Sequence, residues 1–332
     1  MIDLTAIDST PNLKGSIKVT VIISTRNRAC SLVQTLNSIL ANNYPDYNLI
    51  VLDQSDEKLP ENVLKEFEAD ERFCYVYSPT RGLGAGHNAA IALAKTELLA
   101  VTDDDCIIPS NWLVELVKAF YVDERIGLVF GNVLPAKYDP QKGYIPVFER
   151  TNPTLLKSVS DNLSDGLGIG ACFGIRRSAW EAAGGFDEML GPGAPLGSLE
   201  DRDIALRLLL KGYYIYQTPG FSVLHYGFRK NTELRKLAYR DWFGFGSSFA
   251  KYLKCRDFAI THYILIQMWL GQAVRPFFKI LVFERRLQGV TPLWSFWVGF
   301  LAGLFHGVEA GTRKFKVSGK ARFIPKRRLL KK

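Results

Sequence analysis

Residues 17–134 alternate short runs of β-branched and aromatic residues with runs whose apolar positions recur at helical spacing, and this alternation constrains the fold most. Ile17–Ser24 (IKVTVIIS) is almost continuously β-branched, as a strand covered on both faces requires. Ala29–Ala41 sets Leu32, Leu36, Ile39 and Leu40 along one helical face. Strands over Asn48–Asp53, Phe73–Ser78, Glu97–Thr102 and Ile126–Val133 then interleave with helices over Glu61–Ala69, Ala85–Ala94 and Ser110–Tyr121. The order predicts an α/β domain with a mostly parallel central sheet flanked by helices. Ligands of such sheets bind beyond the carboxyl ends of the strands, so the residues after each strand carry the functional information.

Past residue 135 prolines punctuate a loop-rich stretch, followed by a strand over Gly168–Ile175, helices over Arg177–Ala183 and Ser198–Lys211, and strands over Tyr213–Gln217 and Phe221–Leu224. From about residue 230 the sequence becomes helical and rich in aromatics. With 47% apolar and 12% aromatic residues the chain has ample core and is not a disordered one. Five scattered cysteines without a C-x-x-C exclude a disulfide scaffold and a structural zinc site, and point to a reducing compartment. Met1–Gly15 lacks an apolar core segment, so no signal peptide is expected.

The net charge of +9 is concentrated in residues 312–332, where ten basic residues stand without an acid, leaving residues 1–311 at −1. The basicity is therefore a tail, suited to RNA, DNA or anionic lipid.

Three features carry chemistry. Asp103-Asp104-Asp105 follows the strand Glu97–Thr102; adjacent carboxylates repel unless a cation such as Mg²⁺ or Mn²⁺ neutralises them. A solvated turn capping the next helix is the plain alternative, which the position after an apolar strand disfavours. Glu200-Asp201-Arg202-Asp203 opens a helix, where acids either answer the macrodipole or supply a general base. Arg81-Gly82-Leu83-Gly84-Ala85-Gly86-His87-Asn88 is a glycine-rich turn into a helix, like a dinucleotide fingerprint but with His87 at the third glycine position.

Taken together, VTVIISTRNRACSLVQTLNSI (19–39), LIVLDQS (49–55), RGLGAGHNAAIALAKTELLAVTDDDCIIPSNWL (81–113), GIGACFGIRRSAWEAAGGFDEMLG (168–191) and LEDRDIALRLLLKGYYIYQTPGFSVLH (199–225) resemble the successive motifs of family 2 glycosyltransferases. The resemblance covers roughly residues 17–226. It implies a GT-A fold, a nucleoside-diphosphate sugar donor, Mn²⁺ or Mg²⁺, and inverting transfer of a hexosyl or deoxyhexosyl group to a hydroxyl of a glycan or lipid-linked acceptor. Under it Thr25, Arg26 and Asn27 line the nucleotide pocket and Asp53 bonds the base. Gly82 and Asn88 shape the nucleotide and sugar side. Asp103, with Asp104 beside it, meets the ribose or metal region. Asp105 ligates the metal, His225 reaches the metal or diphosphate, and Asp201 is the base. Gln54 and His87 depart from the acid and arginine common in the family, on the nucleotide side.

Two other classes compete: a nicotinamide-dependent oxidoreductase built on the Gly82–Gly86 turn, and a non-catalytic membrane-bound scaffold. The expected organisation is an extension over 1–16, a catalytic domain over 17–228, an aromatic-rich helical region over 229–311 and the basic tail over 312–332. Gly289–Val308 has 20 residues without a charge, the length of a spanning helix. A pair of spans would put the 275–288 connection, net +3, outside, against the positive-inside tendency. The favoured expectation is therefore helices lying in the cytoplasmic leaflet, with the tail on an anionic membrane surface and no nucleic acid partner. A spanning helix and a buried or oligomeric helical core are the alternatives.

Overall fold

The computed structural model describes residues 17–161, 163, 166–284 and 289–317; the extension over 1–16 and the tail from 318 onward lie outside these residues. The alternation is realised as β1 (Val19–Thr25), α1 (Ala29–Leu40), β2 (Tyr47–Asp53), α2 (Glu61–Glu68), β3 (Phe73–Tyr77), α3 (Leu83–Leu93), β4 (Leu98–Thr102), β5 (Cys106–Ile107), α4 (Trp112–Phe120) and β6 (Ile126–Pro135). Next come β7 (Gly143–Tyr144), β8 (Thr154–Leu156), β9 (Cys172–Arg176), α5 (Arg177–Ala182), α6 (Glu200–Leu210), β10 (Tyr214–His225) and β11 (Arg229–Lys230).

The main sheet runs β3-β2-β1-β4-β9-β6-β10-β5, with β8 also on β10. β1, β2, β3 and β4 are mutually parallel, as are β6 and β10, whereas β9 is antiparallel to both its neighbours, β4 and β6. The strands expected at Tyr213–Gln217 and Phe221–Leu224 are one strand, β10, whose register against β6 breaks between Gln217 and Ser222. Alternate residues of β1 serve opposite faces: Val19, Val21 and Ile23 pack with α1 and α4, and Ile22 packs with α3 and α6.

The C-terminal region comprises α7 (Leu234–Lys254), α8 (Phe258–His262), α9 (Arg275–Lys279), α10 (Val290–Phe305) and a small hairpin, β12 (Val308–Glu309) with β13 (Lys314–Phe315). Between and beyond α8 and α9 the helix is wound wider, with i→i+5 geometry over Tyr263–Val274 and Ile280–Glu284. α7 and α10 approach to backbone contact: a Cβ on Gly246 would meet Phe296 O, and one on Gly299 would meet Phe243 O. No described helix is long and apolar enough to cross a membrane.

No gap in packing falls near residue 229. Phe245, Phe249, Tyr252, Tyr263 and Phe296 share one apolar cluster with Ile204 and Leu208 of α6. A buried ionic cluster reinforces the junction. Lys251 Nζ donates to Asp187 Oδ2 (2.8 Å) and to Asp203; Arg207 Nε and Tyr252 Oη also donate to Asp203, at 2.8 and 2.7 Å. The Phe315 N–H donates to Asp187 Oδ2 (3.0 Å), Arg313 pairs with Asp257, and the buried Lys314 donates to Gly184 O. The first basic residues of the expected tail thus belong to a docked hairpin, because each finds a partner on the folded body.

Candidate active site

Four strand ends and one helix start converge. β1 delivers Thr25–Arg28, β2 delivers Asp53, β4 delivers Asp103–Asp105, β10 delivers His225, and α6 opens with Glu200 and Asp201. His225 reaches Asp105 through register. It pairs with Cys106 across the β10–β5 ladder, so its ring falls beside the preceding aspartate, with Nε2 3.3 Å from Asp105 Oδ1. Its Nδ1 lies 3.1 Å from Pro146 O. Donation from Nδ1 to that carbonyl leaves Nε2 as the nitrogen facing the carboxylate.

The three aspartates have different surroundings. Asp104 is buried, accepting from the Thr25 hydroxyl (2.6 Å) and Arg28 Nη1 (3.0 Å), so its two oxygens are spent on protein donors. Arg28 Nη1 also donates to Asp105 Oδ2 at 2.9 Å. Burial opposes ionisation of Asp105, but His225, Arg28 and Arg229 hold its carboxyl below the ordinary value. Burial and the neighbouring Asp105 push Asp103 up to about 7. Burial would lower His225, but Asp105 and Asp103 raise it.

At the start of α6, burial raises Glu200 well above the usual range, with Asp201 and Asp103 adding to the effect. Burial also raises Asp201, against donations from the Arg202 and Gly170 backbone N–H groups. The Glu200 carboxylate lies against Gly191 (φ +102°), where a Cβ would stand 2.8 Å from Oε2. The two acid groups thus share one neighbourhood, with Asp103 felt at Glu200.

The nucleotide-side residues are arranged less directly than expected. Asp53 is fully buried and accepts from Tyr75 Oη (2.6 Å) and the Ser55 N–H (2.8 Å). Arg26 and Asn27 (φ +57°) are exposed and both hold Asp56, as does Arg81. Hydrogen bonds from Asn27 and Arg26 keep the Asp56 carboxyl below its ordinary value. Asn88 donates to Phe186 O and Glu188 Oε1 and accepts from the Phe186 N–H and Trp180 Nε1, so it holds the 180–188 segment. Gly82 (φ +95°) lies under Ala194, and the Leu83 N–H donates to Pro192 O, which covers the start of α3.

The two departures noted in the motifs are packed inward. Gln54 Nε2 donates to Thr80 Oγ1 and Gly82 O. His87 is buried between Phe173 and Phe186 with Nδ1 3.0 Å from Ser24 Oγ, and burial lowers it to about 4, so it is neutral. A neutral buried ring in place of the third glycine, with Pro192 over the helix start, removes the pyrophosphate cradle on which a nicotinamide enzyme would depend.

Two site residues escape motif reading: Arg28, which lies just past the strand end and bridges Asp104 and Asp105, and Asp56, which ties Arg26, Asn27 and Arg81 together. The doubled T-R-N-R arginines were the available signal for the first.

The metal fit can be judged from donor chemistry. Asp105 Oδ1 is buried without a hydrogen bond, and donor atoms of Asp105, His225 and Cys106 lie within 4.8 Å of one another. Burial pushes the Cys106 thiol well above its ordinary value, so it stays protonated. A carboxylate oxygen and an imidazole nitrogen remain, a set that suits Mn²⁺ once the ring has released its proton.

Residues 20–183 match the profile described as Glycosyl transferase family 2. An uncharacterized glycosyltransferase of Nostoc is 26% identical over 115 residues, 34% of this chain and 36% of its own length. A glucosyl-dolichyl phosphate glucuronosyltransferase of Haloferax volcanii is 25% identical over 122 residues, 36% of this chain and 39% of its own. The chain thus spans little more than a third of the curated relatives it matches. Among solved structures, the mannosyltransferase PcManGT from Pyrobaculum calidifontis, in complex with GDP-Man and Mn²⁺, superposes with a TM-score of 0.57 at 18% identity over 90% of each chain. S. aureus TarS 1–349 superposes at 0.58 with 13% identity, over 87% of this chain and 81% of its own. The structural likenesses show a GT-A-like fold, and the profile match over residues 20–183, just under half of the chain, together with the motif order makes the chain similar to glycosyl transferase family 2.

Proposed function

We propose that the protein transfers a hexosyl or deoxyhexosyl group, with inversion, from a nucleoside-diphosphate sugar to a hydroxyl of a glycan or lipid-linked acceptor. The observation that carries this is the grouping of the acids: Asp105 meets His225 and Arg28, and Asp103 is among the charges felt at Glu200, at the start of the helix that carries Asp201. The relatives' and neighbours' names, a glucuronosyltransferase and a mannosyltransferase with GDP-Man and Mn²⁺, support the donor class.

Asp105 and His225 would hold a divalent cation, which supplies Lewis-acid stabilisation of a departing nucleoside diphosphate. Arg28, already on Asp105, adds a fixed positive charge beside it. Asp201 accepts the acceptor's hydroxyl proton as that oxygen bonds to the anomeric carbon. The bond to the diphosphate oxygen breaks with its electron pair leaving on the diphosphate, and attack from the opposite face inverts the centre. Burial makes the Asp201 carboxylate a stronger base, and the Gly170 and Arg202 N–H groups fix its orientation. Asn88 and Gly82 shape the donor side by holding the 180–194 segment.

The test is a screen of UDP- and GDP-sugars with Mn²⁺ or Mg²⁺, followed by Asp201→Asn on the active donor. Turnover should fall about 10²–10⁴-fold with the donor KM nearly unchanged. A collapse of donor binding with turnover retained would make Asp201 a structural cap and move the base to Glu200.

A further inference from the structure

α10 is apolar on two opposite faces. At about 100° per residue, Ser295, Phe296, Gly299 and Gly303 lie on one side, buried against α7. Trp294, Trp297, Val298, Leu301, Leu304 and Phe305 fall within an arc of about 120° on the other side and are exposed, Leu301 by 54% and Phe305 by 88%. A helix apolar all round belongs in a core or in lipid. Among the described residues most exposed large apolar side chains lie in this same region, between Leu234 and Phe305, whereas the catalytic half shows only scattered ones.

Charge identifies the occupant. From Phe258 to the last residue, fourteen lysines and arginines stand against Glu284 and Glu309, a net of +12, and the rest of the chain sums to −3 of the total +9. Exposed Arg275 and Lys279 flank the exposed Phe278 on α9. A second copy would bring two such positive regions together, whereas an anionic surface is attracted to one. Length fixes the mode. α10 has 16 residues, about 24 Å, short of the ~30 Å hydrocarbon core, and its inner face is committed to α7.

We propose that the outward face of α10 docks in plane on an anionic lipid bilayer, with Trp294 and Trp297 at the headgroup boundary. Trp294 packs at a tilt on Tyr239 of α7, ring centroids 5.1 Å apart, and the next turn of α7 packs on Gly197–Ser198, just ahead of Glu200. The docked face therefore begins beside the approach to Glu200 and Asp201.

The test uses the full chain with vesicles of phosphatidylcholine alone and of an equal mixture of phosphatidylcholine and phosphatidylglycerol. The parent should pellet with the mixed vesicles, and brominated acyl chains should quench its tryptophan fluorescence. Leu301→Asn with Phe305→Ser, both at exposed positions, should lower partitioning roughly ten-fold or more. An unchanged thermal midpoint keeps the comparison one of folded proteins. W294F/W297F should bind but lose the quenching. Equal partitioning of parent and L301N/F305S would overturn the proposal. So would a parent that ignores vesicles and sediments as a dimer dissociated by those substitutions, which would make the face an interface between copies.

Discussion

The ionic cluster under α7 gives a prediction with a calculable size. Asp187 and Asp203 are balanced by Lys251 and Arg207, and all four are essentially inaccessible. Lys251→Met keeps most of the volume and removes one charge, leaving two buried carboxylates facing one guanidinium. Removing one member of a buried pair costs ~3–5 kcal/mol. The lower end applies here, because Asp187 keeps the Phe315 and Met189 N–H groups and Asp203 keeps Arg207 and the Tyr252 hydroxyl. Adding Asp187→Asn restores neutrality, so the double variant should recover about half of the loss. Urea unfolding at neutral pH, followed by far-ultraviolet dichroism and tryptophan fluorescence together, measures both. A Lys251→Met variant within ~1 kcal/mol of the parent would refute the reasoning, as would a double variant less stable than the single one.

Asp105→Ala should abolish metal-dependent binding of nucleoside diphosphate, measured by titration calorimetry, and undiminished transfer in excess EDTA would remove the metal assignment. His87 makes a pH-dependent contribution. Its folded value is about 4 and its ordinary value 6.5, so as pH falls through this window the unfolded chain takes up a proton that the folded one refuses. Stability is therefore lost on acidification from 6.5 to 4, by about 3 kcal/mol from this ring. His87→Gln should flatten that part of the stability–pH curve, and an unchanged slope would show that the ring is protonated or solvated in the fold.

Much of this architecture is legible in the chain because it is local. The β-branched runs and helical spacing place nearly every element of the first 135 residues within a few positions, and the acids after β4 and at the start of α6 stand where strand-end logic looks for them. What escapes is what depends on partners distant in sequence. Nothing in Cys172–Arg176 announces that β9 runs against its neighbours, since an apolar strand buried on both faces reads alike in either direction. His225 meets Asp105 only through the two-residue ladder of β5, too short to give a periodic signal. Asp104 and Asp53 carry the same carboxylate as Asp105, yet Thr25 and Arg28 occupy the first and Tyr75 of β3 bonds the second. Lys251 reads as one more cation on a helix, and only the fold turns it inward between two aspartates.

The segment from 184 to 200, which carries the approach to Glu200 and Asp201, is held from three directions. Asn88 of α3 grips Phe186 and Glu188; Pro192 and Ala194 lie on the turn before α3; and the C-terminal region takes the rest. That last hold is extensive. Lys251 and the Phe315 N–H bind Asp187, Lys314 binds Gly184 O, and Ser198 donates to Asp241. Gly197 (φ +91°) sits so close to α7 that a Cβ would come within 2.6 Å of Arg240 O. A segment containing five left-handed glycines between 184 and 197 has little conformational preference of its own, so its shape must be imposed from outside. Most of the imposing groups lie beyond residue 229, outside the stretch that carries the family motifs. The C-terminal third is therefore part of the cleft's construction, and losing its contacts at Asp187 or Ser198 would release the wall on which Glu200 and Asp201 stand.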